Sequence, residues 1–402
     1  MTHPSRVRMT GPLAPHQDTI WLALLGSGYT ADSARNLLRV AAHLSRWLAE
    51  QDLEPEGLAA SRIDAFLEQR RSLGYTCWLG PRCLEPILCP LRELGVVPRP
   101  QPLPVDSSPV ASLWRDFEAF LFEDRALCAG TVGDRLRVAR RLFGALDVRD
   151  LAAVGRLSAP DISGFLLHEA RSLSVGTTKL VVSHLRSFLR FLHVRGLCGP
   201  LAAAVPAVAG HRHARLPKHI PWDEACRLLE SCDSQSRAGL RDRAVLLLLA
   251  RLALRAGEVA TLELDDIHWV RGAIFVRGKG PRHGWLPLPE DIGAALARYL
   301  KAGRPATTSR RLFVKSIAPH GTFCSGTVGA VVERACQRAG LPRRSPHQLR
   351  HTAATRMLRR GASLHAVAEA LRHRSVDTTA IYAKVDYEAL RTLARPWPGG
   401  GA

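Results

Sequence analysis

The chain has 402 residues, 46% of them hydrophobic and 23% charged, which excludes a wholly disordered polymer and, at roughly 150 residues per domain, predicts two or three packed domains. Lys and Arg number 56 against 36 Asp and Glu, and the net charge of +20 favours a polyanionic partner, whether DNA, RNA or membrane headgroups. Ala244 to Ala256 is interrupted by Arg251 and Arg255 and the N-terminal MTHPSRVRMTGPLAPH has no apolar run, so membrane spans and a secretory signal are excluded and a cytoplasmic location is expected.

From residue 14 to 98 the pattern is helical. Leu37, Val40, Ala41, Leu44, Trp47 and Leu48 recur three and four apart within Ala34 to Glu50, and Ile63, Phe66 and Leu67 form a second apolar face. Cys77, Cys83 and Cys89 are spaced by six, but no CxxC pair or nearby His completes a zinc pattern, and the odd total of nine cysteines argues against a disulfide scaffold. A Pro and Ser linker at 102–110 precedes a second helical segment, 110 to 200. Arg39-Val40-Ala41 is echoed there by Arg137-Val138-Ala139, and Ile63, Phe66 and Leu67 by Ile162, Phe165 and Leu166, at offsets of 98 and 99, which suggests two related units. Lys179 to Val194 places Leu185, Phe188, Leu189 and Leu192 on a stripe flanked by Arg186, Arg190 and Arg195, either a solvated basic face or one that meets phosphates. Residues 199–217, GPLAAAVPAVAGHRHARLP, read as a linker whose Arg212 and Arg215 either touch backbone phosphates or are solvated.

Beyond Pro221 the pattern predicts helices over Trp222–Ser231, Arg241–Leu252, Asp291–Lys301, Gly326–Ala339, Gln348–Arg360 and Leu364–Leu371. Ala273–Arg277 and Trp285–Leu288 read as short strands around a glycine-rich turn. The fold expected is mainly α with a small β-sheet.

Four motifs stand in order in this last segment: ALRAGEVATLELDDI, VRGKG, SPHQLRHTAATRM and LRHRSVDTTAIYAKVD. Together they resemble the catalytic domain of the tyrosine recombinases, or phage integrases, over residues 218 to 395. The segment at 110–200 resembles that family's helical, SAM-like core-binding domain, which clamps DNA, and 14–98 looks like a diverged extra copy. The resemblance implies a catalytic set of Arg255, Lys279, His347, Arg350, His373 and Tyr382, with Glu258 as the acidic residue after the first arginine. It implies a site-specific recombinase or integrase that forms a covalent 3′-phosphotyrosine, without cofactor or metal. Its partners would be double-stranded DNA with paired half-sites, other copies of the chain and related recombinases, in the context of mobile-element integration or excision.

The residue types suit that chemistry. Arg255 and Arg350 offer permanently charged forks to the nonbridging oxygens of a phosphodiester under attack, and both stand in apolar helical sequence with few local acids. His347 lies three positions before Arg350 and reaches the same site if a helix begins after Pro346. Lys279, between Gly278 and Gly280, can present an ammonium to a leaving oxygen, with Arg282 and His283 as other nearby cations. Tyr382 is a poor nucleophile unless basic neighbours favour its phenolate. One departure is Arg372, where the family usually has glycine: it displaces something if close approach is required there, or reaches solvent or phosphate if the backbone is helical. A topoisomerase of the same chemistry and a catalytically silent DNA-binding accessory protein are the alternative functions.

Overall fold

The computed structural model describes residues 5–100, 108–209, 219–278 and 283–372. By contacts the chain divides into two compact units, Met1–Pro100 with Arg215–Ala402, and Gln101–Ala214.

In the first of these, the N-terminal part is built from α1 (Gln17–Gly26), α2 (Ala31–Glu50), α3 (Ala60–Ser72) and α4 (Glu85–Glu93). Thr30 caps α2 by accepting from the Ser33 amide, one turn earlier than the apolar periodicity alone suggests. The predicted stripe is the inner face: Leu37, Ala41, Leu44 and Leu48 are fully buried and join Ile63, Phe66, Leu67 and Leu88 in one core. Among the three evenly spaced cysteines Cys77 and Cys89 are exposed and Cys83 half-buried, each a free thiol.

Residues of the second unit form α5 (Pro109–Phe122), α6 (Ala129–Ala145), the short α7 (Leu151–Gly155), α8 (Ala159–Ala170) and α9 (Val175–Val194). Phe117, Phe188 and Leu192 meet at its centre, with the Phe117 and Phe188 rings 4.9 Å apart, and burying each such side chain contributes about 1.5–3 kcal/mol. Ile162, Phe165 and Leu166 are buried on α8 as Ile63, Phe66 and Leu67 are on α3. On the outer side of α9, Arg190 and Arg195 are exposed, whereas Arg186 is committed to the Val205 carbonyl at 2.7 Å.

The C-terminal part of the first unit contains α10 (Trp222–Glu230), α11 (Arg237–Ala250), α12 (Ala256–Thr261), β1 (Ile267–His268), β2 (Ala273–Arg277), β3 (His283–Pro287), α13 (Glu290–Arg298), α14 (Ser325–Arg338), α15 (Pro346–Arg359) and α16 (Leu364–Ala370). The strands form an antiparallel sheet in the order β1-β2-β3, with Ala273 opposite Pro287 and Arg277 opposite His283. The helices are mostly apolar on the face turned to α11, which is buried almost all round from Leu240 to Ala250. The helix predicted to run to Lys301 instead relaxes into a wide π-turn at Tyr299–Gly303. That turn seats the fully buried Tyr299 ring against Phe313 and brings its hydroxyl to the Val314 amide. The fold is mainly α with a small β-sheet, and among the described residues no helix is long and apolar enough to cross a membrane.

Candidate active site

Of the residues singled out in sequence, Arg255, His347, Arg350, Glu258 and Arg372 are described, and they converge at three chain corners. The first is the link from α11 to α12. Ala253 takes a left-handed backbone, φ +53°, which turns the chain so that Arg255 becomes the residue capping α12. The Arg255 amide donates to Glu258 Oε2 at 2.8 Å, and its Nη1 donates to Glu258 Oε1 at 2.6 Å. The expectation of an arginine inside a helix with few acidic partners is corrected here: Arg255 stands at a helix entrance and its partner is three residues on. The apolar flanks misled because they belong to α11 and to the corner, both of which are buried.

The second corner is the start of α15. Ser345 caps it by accepting from the Gln348 amide, Gln348 Oε1 accepts from the Ser345 amide, and Pro346 occupies the first turn, where its missing N–H costs nothing. This places His347 and Arg350 one turn apart, as their spacing predicts. Arg350 is 1% exposed, and its two terminal nitrogens donate to the carbonyls of Ala253 and Leu371. It therefore ties the first corner to the third. His347 is exposed on one side and packs edge-on against the His351 ring, with centroids 4.2 Å apart. Burial of its inner edge, then the Arg350 and Arg255 guanidiniums, hold its pKa below the usual histidine value.

The third corner ends α16. Arg372 follows Leu371 with φ +51°, a left-handed position suited to glycine, and its amide closes the helix on the Glu369 carbonyl. Its side chain settles the question posed by the missing glycine. It turns neither to solvent nor outward to a phosphate: Nη2 donates to Glu258 Oε2 at 2.6 Å, and the side chain is only 9% exposed. Glu258, itself 5% exposed, is thus shared between Arg255 and Arg372, while Arg255 Nη2 lies 3.5 Å from the Arg372 carbonyl oxygen. One buried carboxylate between two guanidiniums leaves the cluster net positive, so it remains attractive to an anion while the acid fixes the forks.

Arg255, His347 and Arg350 are therefore brought together, with Glu258 beneath Arg255. Lys279, His373 and Tyr382 lie outside the described residues, as does Arg282. In sequence Lys279 falls between β2 and β3, whose last described pair is Arg277 opposite His283. Arg277 anchors that hairpin through Asp266 at 2.5 Å. His351 is a neighbour that sequence reasoning missed; the signal was its place four residues after His347, on the same face of α15.

Residues 218–389 match the phage integrase family. A Sinorhizobium fredii protein named as an integrase/recombinase, y4rA, is 39% identical over 396 residues, 97% of this chain and 95% of its own length. The tyrosine recombinase XerD of Mycobacterium tuberculosis is 33% identical over 69% of this chain and 93% of its own. In fold, the chain is similar to a XerH site-specific recombinase bound to a palindromic difH substrate, with TM-score 0.56 and 19% identity over 84% of this chain and 95% of that one. It is similar also to a lambda integrase (75–356) dimer bound to a COC′ core site, with TM-score 0.52 and 18% identity over 71% and 96%. With the motifs in order, Arg255, His347 and Arg350 gathered at one site, the family matched over residues 218–389 and a relative 39% identical over nearly the whole of both chains, the chain belongs to the phage integrase family and is a tyrosine-type site-specific recombinase.

Proposed function

We propose that the chain cleaves and rejoins duplex DNA by two transesterifications at the site built around Arg255, His347 and Arg350. Tyr382 attacks the scissile phosphorus, giving up its phenolic proton; the bond to the 5′ oxygen breaks, and Lys279 donates a proton to that oxygen as it leaves. The products are a 3′-phosphotyrosine and a 5′-hydroxyl, and attack by a 5′-hydroxyl from the other duplex reverses the step on exchanged strands. Arg255 and Arg350 bear the charge that develops on the nonbridging oxygens, and His347 and His373 donate to the phosphate or manage the tyrosine proton. Glu258 and Arg372 orient Arg255. The observation that carries this reading is the meeting of Arg255, at the start of α12, with His347 and Arg350, at the start of α15, in one net positive cluster. Because Arg350 is almost fully buried with its terminal nitrogens on carbonyls, its engagement of a phosphate requires a local rearrangement there.

In this reading residues 14–98, 110–200 and 218–395 are an extra helical domain, a core-binding domain and the catalytic domain. The protein works in the cytoplasm on paired half-sites as an oligomer of its own copies, with related recombinases as further partners, in moving mobile DNA. The likeness to recombinases crystallised on DNA as a dimer and as a tetramer on a Holliday junction supports this assembly. The test is covalent trapping on a nicked substrate with strand ends resolved, followed by exchange between two labelled duplexes. Adducts at the 3′ phosphate with exchange support the reading; relaxation without exchange favours a topoisomerase, and binding without adduct an accessory protein.

A further inference from the structure

The N-terminal helices carry a feature that the cleavage chemistry does not use. Two adjoining open cavities of about 220 and 370 Å³ share His43, Arg70 and Tyr75 in their walls. Arg70 is 5% exposed, yet no carboxylate pairs with it among the described residues. Its guanidinium lies 4.1 Å from the Tyr75 ring centroid and 5.8 Å from that of Phe66, it reaches the Cys77 carbonyl only at 3.4 Å, and its buried Nε has no partner. Arg46 lines the first cavity and Arg39 the second, both exposed and neither ion-paired among the described residues. Other arginines of the same helices do find acids: Arg35 has Asp32, Arg71 has Glu68 and Arg92 has Glu85. One carboxylate, Glu50, stands at the rim of the first cavity. Burial, and then the charges of Arg46 and Arg70, hold His43 below the usual histidine pKa.

A buried guanidinium stacked on an aromatic ring, with an unsatisfied N–H and, at its mouth, two arginines without carboxylate partners among the described residues, of which Arg39 donates to Asn36 Oδ1 at 3.0 Å, is a built anion site. We propose that it binds the sugar-phosphate backbone of duplex DNA, giving the extra N-terminal helices a DNA-contacting role. Arg39, His43 and Arg46 follow one another along one face of α2 over seven residues, roughly 10 Å of helix, and each strand of a duplex carries one phosphate per about 3.4 Å of its axis. A row of that length matches a run of phosphates better than a single small anion, and the exposed Tyr75 and Trp78 at the margin offer flat apolar contact to sugars. The proposal rests on the DNA-acting reading of the whole chain, and its test separates the two.

The intact chain is titrated onto a 40-base-pair duplex of mixed sequence over a range of salt. The pair Arg39→Gln and Arg46→Gln is compared with Arg62→Gln and Arg82→Gln, exposed arginines of the same N-terminal part that line neither cavity and remove the same charge. Each lost phosphate contact lowers the slope of log affinity against log salt by about 0.9, so the first pair lowers it by about 1.8 and the second leaves it unchanged. Arg70→Lys, which keeps the charge and loses the fork, gives an intermediate loss with melting behaviour preserved. Equal slopes for the two pairs, or an unchanged slope for the first, overturn the site while leaving the DNA-acting reading intact. Absence of salt-dependent binding by the unsubstituted chain overturns both.

Discussion

Arg372→Gly restores the residue usual at this corner in the wider family, and the structure predicts that it destabilises this chain. Two effects oppose each other. Arg372 holds φ at +51°, and replacing a side chain there by glycine relieves about 1 kcal/mol of left-handed strain. The same change removes the 2.6 Å bond to Glu258, whose side chain is 4% exposed. Breaking a buried ion pair costs about 3–5 kcal/mol, and the low end applies because Glu258 keeps the Arg255 fork and amide. The balance is about 2 kcal/mol of lost stability. For a cooperative segment of roughly 150–250 residues that amounts to a fall in melting temperature of about 4–8 °C.

The assay is calorimetry of the intact chain, with hydrogen exchange at α12 and α16 amides to assign the transition to this corner. Faster exchange at both helices in Arg372→Gly is expected, and Arg372→Lys falls between the two because an ammonium keeps the charge but not the fork. A glycine variant as stable as the parent or more so would refute the reasoning, since it would mean that backbone strain outweighs the buried pair. Cleavage should fall with stability only in part: loosening of Glu258 frees Arg255, so the rate at saturating DNA drops even at temperatures where the variant is fully folded.

Four further outcomes follow from the site. Tyr382→Phe abolishes the covalent adduct while leaving most DNA binding, measured by gel shift alongside denaturing gels; an adduct at parental yield removes Tyr382 from the chemistry. Arg255→Gln slows single-turnover cleavage at saturating DNA by about 100-fold or more, the loss of roughly 3 kcal/mol of transition-state stabilisation, and a change within about threefold rejects the role. Replacing the bridging 5′ oxygen with sulfur rescues Lys279→Ala but not Arg255→Gln, because a thiolate leaves without a proton; equal impairment on both substrates points instead to positioning by Lys279, or to Arg282 or His283 as the acid. His347, whose pKa is lowered by burial and then by Arg350 and Arg255, is protonated in the unfolded chain below about pH 6.5, so its contribution to stability is present above that pH and lost as pH falls through its lowered folded value; His347→Gln flattens the slope of stability against pH below about 6.5, and an unchanged slope refutes the assignment.

How much of this was legible beforehand depended on the kind of information each feature carries. Helix positions were written in the spacing of apolar residues, so α2, α9 and α11 were located to within a turn or so, and the β2–β3 hairpin was marked by its glycines and β-branched residues. The triad of Arg255, His347 and Arg350 could be named from ordered motifs. What each arginine does in the folded chain could not. Arg255 and Glu258 are three residues apart and their pairing is readable once a helix start is placed between them, but the apolar flanks pointed to a helix interior. Arg350 bonds to carbonyls 97 and 21 residues away, and backbone acceptors leave no trace in side-chain identity. The π-turn at Tyr299 has the same character: its cause is the seat of one ring against Phe313, a tertiary fact.

Arg372 carries the argument furthest, because local and global preferences conflict there. Its backbone asks for glycine, and its side chain lies 114 residues from the acid it serves. Such a conflict persists only where surrounding contacts over-determine the conformation, and they do: the Glu369 carbonyl fixes the amide, Arg350 fixes the preceding carbonyl, and Glu258 fixes the guanidinium. The departure from the family's glycine is therefore one half of a substitution whose other half is structural dependence on Glu258. It follows that Arg372→Gly and Glu258→Gln are coupled. Glu258→Gln alone leaves two guanidiniums facing each other without a carboxylate, whereas in the double variant one of them is gone, so the double loses less stability than the sum of the singles. A double-mutant cycle measures this directly: a coupling energy of about 1 kcal/mol or more supports the shared-carboxylate arrangement, and additivity within about 0.5 kcal/mol refutes it.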